Sequence, residues 1–560
     1  MFPLALAIGA LGVAVAWALL RLIWFLTNLL FWHRLSFGYA EAHAAPAASG
    51  PWTLPILLGG GLLAGLAIRY GHESLRGHGI PEVMEAVVLR EGRIAPRVAA
   101  LKPLLSAVVI GAGGPFGAEG PIIQTGGAIG SVLGQWLPLS TVERTVLIAC
   151  GAAAGMTGIF GTPVAAVLLP IELITFEFSL RALAPTAAAA AVAAVLRVPL
   201  LGGQPLFAMA SHPGVTATGL LWCLGFGLLA GLEAVGITSA LYWLEDLYAW
   251  VPEGARRLGT VIRPVLGAAC VGLIALGAPE VLGVGYDLIR GILNGRVPLP
   301  ELWGILVFKG AGWLLALSSG TVGGVLAPLF MVAGASGALL GHALLPWSGV
   351  APDLVALVFM AAVFGAAGRA LLTAGLFAVE VTGDFHALVA VLAATAVATA
   401  LADRLLPYNV MTGKLARRGL WLSHDYLGAR YRAGPAVPGD PGPGPPRLSW
   451  SPHQAVVRSD RSRSGCVGRP PGTVRPGAGA AARGPPSPRR GGRQAPWPRG
   501  AMGCAPSWRT TPGRLRRRSG SGPRGLWWGG EAIGCARGAA NAGGRGPHRV
   551  GGRRAARLRA

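Results

Sequence analysis

Apolar stretches long enough, or nearly long enough, to cross a bilayer recur at residues 1–31, 52–68, 143–159, 217–244, 260–278, 302–318, 354–366 and 387–402. Nothing else in the chain limits its fold as much. The hydrocarbon core offers no water to a backbone N–H or C=O, so a spanning segment closes its hydrogen bonds within a helix or around a closed barrel. Runs of about 17–25 apolar residues have the length of spanning helices, which predicts an all-α polytopic membrane protein. Several runs are short or interrupted, as tilted and broken helices would be. Composition agrees: 52% of the 560 residues are hydrophobic, 13% are charged and the mean hydropathy is +0.54, more apolar than a soluble chain needs. The first run exceeds a signal-peptide apolar region and reads as a retained helix, despite the small residues at Ala44–Ala48.

The net charge of +24 is unevenly placed. Residues 431–560 hold 25 arginines, no lysine and three acids, so 22 of those charges lie in the tail. From about residue 432 Gly, Pro, Arg, Ala and Ser dominate, and such a low-complexity segment buries no core and is expected to be disordered. Two readings stay open for residues 432–560. One is a basic arm for nucleic acid or anionic lipid. The other is out-of-frame translation of GC-rich DNA, suggested by arginine without lysine and by tryptophans such as Trp527-Trp528. No CxxC or Cys/His spacing links Cys150, Cys223, Cys270, Cys466, Cys504 and Cys535, so no metal site is predicted.

Before the tail the chain repeats itself. Residues 117–134, GAEGPIIQTGGAIGSVLG, align with 324–341, GVLAPLFMVAGASGALLG, at a constant offset of 207. Gly117 meets Gly324, Pro121 meets Pro328, and Gly127, Gly130 and Gly134 meet Gly334, Gly337 and Gly341. Farther on, GAAAG at 151–155 resembles GAAG at 365–368, and each leads through an apolar run to one acid, Glu172 or Glu380. A membrane domain over residues 1–420 thus divides into halves of about 1–200 and 215–415, with inverted topology and a substrate site where the halves meet. In each half a Gly-rich stretch precedes a Pro and a helix-compatible run. Helix N-termini carry unsatisfied N–H groups and partial positive charge, and two of them aimed at the midplane would bind an anion without a fixed cation. Close packing by small residues is the alternative for either segment alone.

Four motifs in order then resemble the CLC family of chloride channels and chloride–proton antiporters over about residues 1–420. They are Gly77-His78-Gly79-Ile80-Pro81, Gly117-Ala118-Glu119-Gly120-Pro121, Gly158-Ile159-Phe160-Gly161-Thr162-Pro163, and Gly323-Gly324-Val325-Leu326-Ala327-Pro328. The resemblance implies a CLC-like fold of two inverted repeats and a homodimer in which each subunit has its own anion pathway. It implies an anion site formed by His78, Gly79, Ile80, Gly117, Gly120, Val325, Leu326, Tyr408 and Met411, with Glu119 as the gating carboxylate. No cofactor, metal or nucleic-acid partner and no enzymatic activity is expected.

Departures from the family pattern bear on mechanism. His78 stands where the family has a serine and Leu326 where it usually has phenylalanine. The family's central tyrosine aligns with Met411, with Tyr408 three residues earlier as a weaker candidate. Leu173 stands where exchangers of the family often have a proton-relay glutamate, next to Glu172, which is assigned a structural role. A missing relay acid favours passive conduction gated by Glu119. A proton-coupled exchanger is the alternative, and a membrane-tethered binder acting through the basic tail is the alternative of another class. Arg90, Arg93, Arg97 and Lys102, with Lys414, Arg417 and Arg418, suggest a multi-pass protein of the plasma membrane with cytoplasmic termini. Arg21, inside the first apolar run, has no explanation at this level.

Overall fold

The computed structural model describes residues 1–176, 178–251, 256–422 and 431–433. Its helices are α1 (Phe2–Phe31), α2 (Thr53–Tyr70), α3 (Ile80–Leu89), α4 (Pro96–Gly111), α5 (Glu119–Trp136), α6 (Thr141–Phe160), α7 (Pro163–Pro170), α8 (Leu180–Leu201) and α9 (Ala217–Ala249). The second half follows with α10 (Arg256–Ala275), α11 (Tyr286–Leu293), α12 (Leu299–Gly304), α13 (Gly310–Ser318), α14 (Leu326–Ser348), α15 (Pro352–Gly368), α16 (Leu371–Thr382), α17 (Leu388–Leu405) and α18 (Gly413–Arg417). A short antiparallel pair, Leu420–Leu422 with Tyr431–Ala433, closes the described part. The rest of the arginine-rich tail, with Cys466, Cys504 and Cys535, lies outside the described residues.

Nine spans among the described residues are long and apolar enough to cross a membrane. Two of them, Leu180–Leu201 and Leu326–Ser348, are absent from the runs read in the sequence. In the first, Arg181, Arg197, Pro185 and Pro199 interrupt the apolar pattern, and the second begins inside a Gly-rich segment. The run at 354–366 belongs to the shorter helix α15. The expected breaks are present. Helix α7 passes into a π turn at Ile171–Thr175 and α12 into another at Ile305–Lys309, an insertion that often marks functional positions.

The halves meet as inverted copies. Gly324 N–H donates to the Gly117 carbonyl at 2.9 Å and Gly117 N–H to the Gly324 carbonyl at 3.4 Å, an antiparallel bridge between the two repeated motifs. Two acids then exchange helix caps across the halves. Glu172 accepts from Leu372 N–H at 3.1 Å and Thr373 N–H at 2.9 Å, at the start of α16. Glu380, on α16, accepts from Val164 N–H at 3.0 Å and Ala165 N–H at 2.8 Å, at the start of α7. The first amides of a helix have no partner inside it, and a carboxylate accepting two of them makes charge-assisted bonds. The structural role read for Glu172 is this cap.

Arg21 finds its account in length. A 30-residue helix is about 45 Å long, well beyond the hydrocarbon core. Arg21 lies against the rings of Trp17 and Trp24, and its guanidinium donates to the Phe37 carbonyl at 2.9 Å in the connection after α1. Arg90 and Arg418 both pair with Glu85, so the two basic segments share one face. Lys102 departs from that group: it is fully buried, for reasons given below.

The connection between α8 and α9 straps the halves together. Phe207 N–H donates to the Val381 carbonyl at 2.9 Å and Met209 N–H to that of Thr382 at 3.2 Å. His212 sits between Asp384 (Nδ1, 2.7 Å) and Asp353 (Nε2, 3.1 Å). The hydrogen bond to Asp353, helped by that to Asp384, raises the His212 pKa, and the same contact lowers that of Asp353. A raised histidine pKa stabilises the fold fully below its unfolded value of about 6.5, and that contribution is lost as pH rises through the folded value. Thermal stability should therefore fall as pH rises above about 6.5, and His212→Ala should flatten that slope. An unchanged slope in the variant would remove His212 as its source.

Candidate functional site

Three helix starts, those of α3, α5 and α14, converge where the halves meet, and glycine is what lets them approach. A side chain at Gly120 would run into the His78 carbonyl, and one at Gly79 would stand 2.6 Å from the Gly120 carbonyl. At Gly324 a Cβ would lie 2.5 Å from the Gly117 carbonyl and 2.8 Å from the Glu119 carboxylate. Gly79 has φ +101°, in the region that glycine alone enters freely. Gly79 N–H donates to Glu82 at 2.9 Å, which fixes the first turn of α3.

Glu119 is wholly buried at the first position of α5. Its carboxylate does not cap its own helix alone. Oε1 crosses to the other half and accepts from Ala327 N–H at 2.7 Å, with the Leu326 N–H beside it. Oε2 is buried with no hydrogen-bond partner. The carboxylate therefore occupies the start of α14, where peptide dipoles and free amides attract negative charge.

His78 is 2% exposed and neither ring nitrogen has a partner. A neutral imidazole carries one N–H donor, and a buried donor without an acceptor is costly. Its charged neighbours are Lys414 and Lys102, and the Val410 backbone is near its ring. Met411 is fully buried in the loop beside it, held by the Asn409 side chain, which accepts from Met411 N–H at 2.9 Å. Ile80, Val325 and Leu326 are buried around the same helix starts. Tyr408 goes elsewhere: its ring packs edge-on against Tyr242 with centroids 5.2 Å apart. The Tyr242 hydroxyl in turn holds the Asn409 and Val410 carbonyls.

Residues that the sequence reading did not assign to the site complete the scaffold. Lys102 Nζ donates to the Leu75 and Gly77 carbonyls, both at 2.9 Å, and so braces the loop that leads into α3. Lys309 Nζ donates to the Val281, Leu282 and Gly283 carbonyls at 3.0, 3.4 and 2.7 Å, bracing the loop before α11 in the other half. Both ammonium groups are fully buried, and the residues are 207 positions apart, the offset of the glycine repeat. That offset was the available signal. Glu233, midway along α9, was also missed; it accepts from the Ser336 hydroxyl on α14 at 2.7 Å.

The chain is similar to known proteins over most of its described length. Residues 60–403 match the family model described as voltage gated chloride channel. A putative chloride channel protein ClcB-like from Ralstonia nicotianae is 30% identical over 391 residues, covering 68% of this chain and 88% of that one. An H(+)/Cl(-) exchange transporter ClcA from Vibrio campbellii is 28% identical over 386 residues, covering 66% and 80%. The crystal structure of a slow cyanobacterial Cl-/H+ antiporter superposes with a TM-score of 0.63 at 24% identity, over 74% of this chain and 96% of that one.

Proposed function

The chain belongs to the CLC (voltage-gated chloride channel) family of multi-pass anion transporters and channels, which are not enzymes, and from this we propose that it carries chloride across the bilayer with the Glu119 carboxylate as its gate. One observation carries the proposal. The carboxylate lies at the start of α14, hydrogen-bonded to Ala327 N–H, in the place an incoming anion would take. Chloride and Glu119 then compete for the same amides, and the pathway conducts when the carboxylate is displaced or neutralised. The unpartnered ring of His78, with Lys102 and Lys414 as its charged neighbours, supports a second anion position beside Gly79. Glycines 117 and 120 serve by letting the helix starts close on the anion, and Ile80, Val325, Leu326 and Met411 wall it.

The exchangers among the relatives support chloride–proton exchange as the mode of transport, better than the passive conduction placed first from sequence. Passive conduction is the second reading, and it stands on Leu173, an apolar, fully buried side chain at the position where a relay acid was sought. Proteoliposomes loaded against imposed chloride and proton gradients separate the two. Exchange predicts that a chloride gradient drives protons uphill; chloride flux with no proton movement would leave passive conduction. The reading extends to a homodimer in the plasma membrane with cytoplasmic termini, each subunit holding a complete site.

A further inference from the structure

Tyr286, the first residue of α11, carries a hydroxyl that the site above does not use. The side chain is 4% exposed, and its oxygen is buried with no hydrogen-bond partner. Its backbone is fixed: Gly285 N–H and Tyr286 N–H donate to Glu41 at 3.2 and 3.3 Å, and Lys309 braces the loop behind them. Its ring is fixed too, with Phe207 at 5.7 Å and Phe160 at 6.4 Å between centroids. The hydroxyl has Glu119, Glu41 and the Ala118 backbone among its polar neighbours and hydrogen-bonds to none of them. The charged groups around it are Glu119 and Glu41, and Glu41 is already engaged by the two amides and by the Tyr39 hydroxyl at 2.9 Å.

Two complementary groups are thus left over at one place. Glu119 Oε2 is an acceptor without a donor, and the Tyr286 hydroxyl is a donor without an acceptor. We propose that the Tyr286 hydroxyl is the resting point of the Glu119 carboxylate when it leaves the start of α14, and so sets how often the anion pathway is open. The inference rests on Glu119 acting as the gate. In a dry site a phenol O–H that meets a carboxylate makes a stronger hydrogen bond than it would in water. A hydrogen bond to a charged group is strong enough to shift the gate by about tenfold or more. The phenol makes no covalent bond and transfers no proton; Tyr286 is a positioning residue.

The test is a double-mutant cycle on chloride flux from proteoliposomes, using Tyr286→Phe, Glu119→Ala and both together. Tyr286→Phe keeps the ring and removes only an unpartnered hydroxyl, so its melting temperature should match that of the wild type. Its flux should fall about tenfold, because the displaced carboxylate loses its holding place. In the Glu119→Ala background the same change should have no effect. Wild-type flux in Tyr286→Phe overturns the proposal. So does an equal fall with and without Glu119, since the hydroxyl would then act on the anion or on packing. A wild-type protein that moves no chloride, or Glu119→Ala indistinguishable from it, would instead sink the gate and take this inference with it.

Discussion

Glutamine at position 119 is expected to flatten the dependence of chloride flux on pH, and alanine there to raise flux at neutral pH by about tenfold or more. The carboxylate sits inside the protein with one oxygen on the Ala327 amide of the opposite half. Breaking a hydrogen bond to a charged group costs about 1.5–3 kcal/mol, which is roughly one to two decades of occupancy. Glutamine retains the shape but has no proton to gain or lose over this range, so protons no longer clear the site. Alanine removes the occupant, and chloride meets the start of α14 without a competitor. Chloride efflux from proteoliposomes across acid to neutral pH measures both. A glutamine variant with the wild-type pH profile would remove Glu119 from the mechanism.

The second large effect should come from one methyl group. In Gly120→Ala the new carbon would collide with the His78 carbonyl, and that obstacle is backbone, not the end of a flexible side chain. Overpacking of this kind costs about 1–3 kcal/mol. Here the strain falls on the two helix starts that hold the anion, so flux should drop about 5–150-fold, the same energy read as occupancy. Gly225→Ala on α9 is the control, because a Cβ there meets nothing within 4 Å. That change should leave flux alone and stabilise the helix by about 0.5–1 kcal/mol. Equal behaviour of the two variants would mean that the close approach of α3 and α5 does not matter for transport.

Much of this was legible in the sequence because lipid leaves the backbone few choices. Length and polarity gave helices, and a repeat of glycines and prolines in register located the helix starts, since side chains there would forbid the contacts seen at Gly79, Gly120 and Gly324. Glu119 could be singled out as an acid between glycines in an apolar setting. What it touches could not, because Ala327 is 208 positions away and no local pattern encodes that pairing. Lys102 was misread for a related reason. A lysine near three arginines looks like a loop cation, and only the fold reveals that it reaches back to the Leu75 and Gly77 carbonyls. Nor could the sequence show that the Tyr408 ring packs edge-on against Tyr242, on a distant helix. Helix α8 was missed because two arginines and two prolines broke the hydropathy pattern that defined the other spans.

The exchanged caps also bear on how the chain is made. The amides of Val164 and Ala165 emerge from the ribosome more than 200 residues before Glu380 does. At about 5–20 residues per second, the start of α7 waits roughly 10–40 s for its acceptor. Glu172 waits in the same interval for the amides of Leu372 and Thr373. During biosynthesis the first half is therefore an unfinished object at membrane depth, with a bare helix end at the start of α7. Each half caps the other, so both seams can close only after the second half has emerged.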